Sequence, residues 1–105
     1  MKNGLKMKWT LNAQNELNAI YDYLEENWTS KEIKNFSMEL ERVLSTICKF
    51  PYIFPVSLLK NSVRRCVISK QTSLYYKIGK NQIIIISLFD NRKNPFTSSS
   101  FPNYT

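Results

Sequence analysis

An α+β fold, a small and mostly antiparallel four-stranded sheet with an N-terminal helical hairpin packed on one face, is the class this 105-residue sequence predicts. Three observations predict it. The apolar period changes from two to about 3.6 near Asn12. A second stripe of helical period follows after a short break. Beyond residue 62 come three runs rich in β-branched and aromatic residues, punctuated by turn formers. The resulting order, strand, helix, helix, strand, strand, strand, is that of a sheet with helices on one side. The length suits one domain over 1–105.

Leu5 to Thr10 alternates apolar side chains with Lys6 and Lys8, the pattern of a half-buried strand whose lysines suit an edge. Ala13, Leu17, Ile20, Tyr21, Leu24 and Trp28 then form one stripe, predicting a helix over about 11–27. Thr29 with Glu32 three residues later has the form of a capping box, so a second helix starts at once. Its stripe is Ile33, Phe36, Leu40, Val43, Leu44 and Ile47, and Phe50-Pro51 ends it because proline disfavours helical backbone in the residue before it. So short a link makes an antiparallel hairpin. Residues 51–62 read as an irregular connection in which Tyr52, Ile53, Phe54 and Val56 cap the core. Strands are expected at about 63–69, 73–79 and 82–89, with Gly79-Lys80-Asn81 supplying residues that tolerate positive φ in a tight hairpin. Residues 96–105 are polar and read as a loosely held tail.

The composition narrows the function. No apolar run approaches the roughly 20 residues of a membrane span and no secretory segment follows Met1, so a cytoplasmic protein without membrane contact is expected. Cys48 and Cys66 lack metal-ligand spacing and the chain has no histidine, so reduced, packed thiols, no metal and no cofactor are expected. The missing histidine also removes the usual general base. Of the net charge of +7, residues 63–95 carry +6, with seven Lys or Arg against Asp90 alone, whereas residues 1–62 are nearly balanced. Such a one-sided field suits an acidic or nucleic-acid-bound partner.

The strand end carries a more specific signal. Four isoleucines, Ile83 to Ile86, run through Ser87-Leu88 into Phe89-Asp90-Asn91-Arg92-Lys93-Asn94-Pro95, so Arg92 is expected at the rim of a rigid sheet. With Met7-Lys8-Trp9-Thr10, Ile20-Tyr21-Asp22-Tyr23-Leu24, and Arg65 eleven residues before Tyr76, the chain resembles the ParE/RelE superfamily of toxins from bacterial type II toxin-antitoxin systems, over roughly residues 5 to 96. The resemblance implies the same element order, a cognate antitoxin as partner, and either DNA gyrase or the ribosome as target.

RelE-like members cut messenger RNA, which takes a base, an acid and cations around the phosphate. The positions that carry this work in that branch fall here on Arg64, Cys66, Ser73 and Thr97, with Tyr104 the only later tyrosine, so the set is incomplete. Arg65 and the Asp90-x-Arg92-x-x-Pro95 ending resemble the ParE-like branch, which implies a toxin that binds its target without cleaving it. The expected target-binding residues are Arg64, Arg65, Lys70, Lys77, Arg92 and Lys93; catalytic residues are not assigned.

A basic module binding nucleic acid directly is the alternative from another class. There Arg64, Arg65, Lys70 and Lys77 would contact phosphates, and Tyr75 would be the stacking platform, Tyr76 reading as core between Leu74 and Ile78. For the antitoxin, the isoleucine run puts Ile83 and Ile85 on the face opposite Ile84 and Ile86, and one helical layer covers only one of them. The expected partner strip is Tyr75, Ile83 and Ile85, flanked by Arg64 and Lys77.

Overall fold

Thr10 turns the chain from strand into helix. In the computed structural model, which describes residues 5–57 and 62–90, β1 (Lys6–Trp9) runs into α1 (Leu11–Asn27), and the Thr10 hydroxyl accepts from the Ala13 amide at 3.0 Å as the N-cap. Thr29 caps α2 (Ser30–Lys49) in the same way: its hydroxyl accepts from the Glu32 amide and also bonds the Glu32 carboxylate. The helix closes at Phe50, whose amide donates to the Thr46 carbonyl, just before Pro51.

The strands β2 (Arg64–Val67), β3 (Thr72–Gly79) and β4 (Gln82–Asp90) complete a sheet of order β1-β4-β3-β2. β2, β3 and β4 are antiparallel, but β1 lies parallel to β4, so the sheet is mixed. Parallel pairing needs a crossover between the two strands, and the helical hairpin begins that crossover. In the β3–β4 turn only Asn81 has positive φ, at 59°; Gly79 does not. Gly79 is a tight fit instead, since a Cβ there would stand 3.3 Å from Ile84 Cδ1.

Ile20, Leu24, Phe36, Leu40, Val43 and Ile47 of the helices bury against Cys66, Leu74, Tyr76, Ile83, Ile85 and Leu88 of the sheet. Tyr21 meets Phe36 edge-on at 5.5 Å and shares a hydrogen bond with Ser37, which locks the two helices together. A bulge sits in β4: Tyr76 pairs with Ile85 and Tyr75 with Ser87, so Ile86 is unopposed. The phase therefore slips by one residue. Ile84, Ile86 and Phe89 belong to a second cluster, with Val63 and Tyr75, while Ile83, Ile85 and Leu88 stay in the main core.

Past Trp9 the chain leaves the sheet and β4 loses its β1 neighbour. Glu16 takes over that edge. Its Oε1 accepts from the Leu88 amide at 3.0 Å, the Ser87 hydroxyl at 2.7 Å and the Asn12 amide group at 3.0 Å. Thr10 and Asn12 donate to the Ile86 carbonyl beside it. Side chains of the first helical turns thus satisfy backbone groups that a strand would otherwise pair.

The connection after α2 departs from expectation. Phe54 packs on the core, but Tyr52, Ile53 and Val56 are exposed, and Val56 forms one bridge to Arg64. The expected tail at 96–105 lies outside the described residues.

Candidate binding surfaces

Residues paired across a sheet share a face, so the strand registers sort the cations. Lys8 and Lys77 both pair with Ile84, one from each side, and Arg65 pairs with Tyr75. These three stand on the sheet face away from the helices, together with Lys6, because Met7, Trp9, Cys66, Tyr76 and Ile78 point to the helical side. Arg65 is held by an Nη2 hydrogen bond to the Ser73 hydroxyl at 3.1 Å. Lys70 is exposed in the β2–β3 turn, at the end of the sheet where β4 finishes. Arg92 and Lys93 lie outside the described residues.

Arg64 belongs elsewhere. It pairs with Tyr76 on the helical side, donates from Nη1 to the Phe54 carbonyl at 2.6 Å, and places its guanidinium 5.1 Å from the Tyr52 ring centroid. The described members of the expected cationic set therefore split three ways, into an outer-face pair, Arg65 and Lys77, Lys70 in the β2–β3 turn, and Arg64 at the α2–β2 connection. Lys6 and Lys8 join the outer face although their alternation had marked only an edge strand. Their place beside β4 follows from the parallel pairing, which nothing local in the sequence encodes.

Of the two tyrosines, Tyr76 is core as the sequence predicts, and Tyr75 is corrected as a stacking platform. Tyr75 is 6% exposed, packed with Val63 and Ile86, and offers no ring face for stacking. Tyr76 is in the core; its hydroxyl donates to the Pro51 carbonyl at 2.7 Å, and burial pushes its pKa up to about 12. A phenol so placed is neither a base nor an acid for a surface substrate. Burial also pushes the Cys66 thiol up to about 11, and both cysteines are free.

The expected partner strip is corrected as well. Ile83 and Ile85 are fully buried beneath the helices, and Tyr75 lies on the opposite face, so the three do not form one surface. The alternation showed that the isoleucines divide between two faces but not which face the helices cover. The large apolar side chains that do meet solvent include Phe50 at 60%, Tyr52 at 69% and Ile53 at 59% exposure. Of these, Tyr52 lines an open groove of about 500 Å³ between the end of α2 and the β3–β4 turn, together with Leu5, Cys48, Lys49, Pro51 and Ile78. No helix among the described residues is long and apolar enough to cross a membrane.

The comparisons with known proteins agree with the fold. A family described as the ParE toxin of type II toxin-antitoxin system, parDE, matches residues 7–95. Among solved structures, a chromosomal ParDE system from P. aeruginosa is similar at TM-score 0.69 and 16% identity, over 85% of this chain and 98% of that one. A YoeB/ParE toxin from Agrobacterium tumefaciens gives 0.62 at 11% identity, over 82% and 98%. A YoeB-YefM complex from Staphylococcus aureus gives 0.56 at 18% identity, over 81% and 94%. A search of curated proteins returned no match.

Proposed function

The chain belongs to the ParE toxin family of type II toxin-antitoxin systems, and from that premise we propose that it arrests bacterial growth by binding an essential target, DNA gyrase, without cleaving nucleic acid. A cognate antitoxin neutralises it. The observation that carries the binding reading is the separation of charge from proton-transfer chemistry. Lys6, Lys8, Arg65 and Lys77 share the outer sheet face, yet the chain has no histidine and both nearby tyrosines are buried. Cations without a base hold an anionic or acidic surface and leave its bonds intact. Lys70 extends this charge at the end of the sheet where β4 finishes.

ParE and YoeB toxins both share this fold, so the residues on the face must discriminate the target. The test is a supercoiling assay with purified gyrase, run beside primer extension on a message translated in vitro. Inhibited supercoiling with an uncut message is expected. Discrete cuts within codons that disappear in Arg65→Ala would place the protein with the messenger-RNA nucleases instead.

A further inference from the structure

The segment joining α2 to β2 carries apolar side chains outward on a backbone that is tied down. The Tyr76 hydroxyl holds the Pro51 carbonyl, the Ile53 amide donates to the Phe50 carbonyl, and Arg64 Nη1 holds the Phe54 carbonyl. Further along, the Arg65 amide donates to Pro55 and the Ser57 amide to Val63. Phe50, Tyr52 and Ile53 are thus exposed without being loose, which is the condition that lowers the ordering cost of docking a partner. Aromatic side chains beside an arginine are also the residue types that anchor protein interfaces.

The stretch of sequence that carries these residues is charged with one sign. Between Glu41 and Asp90 the sequence has eight Lys or Arg and no Asp or Glu. Lys49 stands at the groove and Arg64 over Tyr52. A second copy docked through the same patch would bring like charges together about its twofold axis. An acidic segment with an apolar face would meet cations at the rim and the aromatic groups at the centre.

We propose that this patch, Phe50, Tyr52 and Ile53 with Arg64 and Lys49, seats an acidic, apolar-faced segment of the cognate antitoxin. The proposal rests on the reading of the chain as an antitoxin-neutralised toxin. It moves the partner surface from the buried isoleucine ladder to the α2–β2 connection, and it assigns Tyr76 the task of positioning that connection from inside the core.

The test uses the full chain and, as probe, the product of the open reading frame adjacent to its gene. Affinity is measured for the wild type, for Phe50→Ser with Ile53→Ser, and for Leu11→Ser with Met38→Ser, which removes exposed apolar groups elsewhere. Tyr76→Phe is the fourth chain: it keeps the patch and frees the Pro51 carbonyl. The Phe50/Ile53 pair should lose about 30-fold or more, the scale of a truncated interface anchor. Leu11/Met38 should change little, Tyr76→Phe should fall between, and thermal unfolding should certify that each chain is folded. Equal binding by the two serine pairs overturns the proposal. So does a concentration-dependent dimer of the free chain that Phe50→Ser dissolves, which would give the patch to a second copy. Growth arrest is scored in parallel. Wild-type arrest with undiminished binding by the Phe50/Ile53 pair removes this surface alone, whereas a wild type that neither arrests growth nor binds the probe removes the toxin reading and the proposal together.

Discussion

The hydroxyl of Tyr76, in the middle of β3, donates a 2.7 Å hydrogen bond to the carbonyl of Pro51, 25 residues earlier in the chain. One buried side chain thereby couples the sheet to the turn that follows α2.

Replacing Tyr76 by phenylalanine removes that bond and keeps the ring, so a loss of about 0.5–1.5 kcal/mol is expected in urea unfolding. The loss should be local before it is global. Amide exchange should quicken at Ile53 and Arg65, whose protons are held within or against the 50–57 segment, and hardly change at the β3–β4 pairing. Uniform acceleration through the sheet would mean that the hydroxyl serves the core as a whole.

Alkaline pH should weaken the fold. Burial raises Tyr76 from an ordinary 10.0 to about 12 and Cys66 from 9.0 to about 11. Each group binds its proton more tightly when folded, so its stabilisation is complete below the ordinary value and is lost as pH rises through the folded value. Stability should therefore decline from about pH 9 to about pH 12. In Tyr76→Phe the part of the decline above pH 10 should shrink; curves that superimpose there would assign the effect to other groups.

Glu16 closes the open edge of β4, and its removal should cost more than an exposed carboxylate would. Glu16→Ala leaves the Leu88 amide and the Ser87 hydroxyl without their acceptor, for an expected loss of about 1–3 kcal/mol. Glu16→Gln retains a carbonyl oxygen and should lose less. Equal stability of both variants and the wild type by denaturant unfolding would show that water serves that edge as well as the carboxylate does.

The elements were legible in the sequence wherever a local rule operated. Thr29 and Glu32 placed the start of α2, Phe50-Pro51 its end, and the stripe from Ala13 to Leu24 the inner face of α1. The relations between elements were not legible. Parallel pairing of β1 with β4 joins residues some 76 positions apart, and no side chain near Met7 encodes it. The bulge at Ile86 shifts the alternation inside what reads as a uniform apolar run, so that Leu88 returns to the helical side and Phe89 to the other. The exposure of Tyr52 and Ile53 had no periodic signal at all, because two prolines break the segment and apolar content alone reads as core. The candidate site was legible as charge on the last strands; its division between Arg64 and the Arg65–Lys77 face required the register.

The most direct measurement is growth after induction of the chain without its antitoxin, comparing Arg65→Ala with Lys77→Ala against Lys31→Ala with Lys34→Ala on α2. All four side chains are exposed, so folding and protein level should be equal. Two solvent-exposed charge contacts are each worth up to about 1 kcal/mol, so the outer-face pair should weaken target binding by about tenfold. Growth should recover in that variant and stay arrested in the α2 variant. Equal arrest by both, at equal protein level, would contradict the account by removing the outer sheet face from the mechanism.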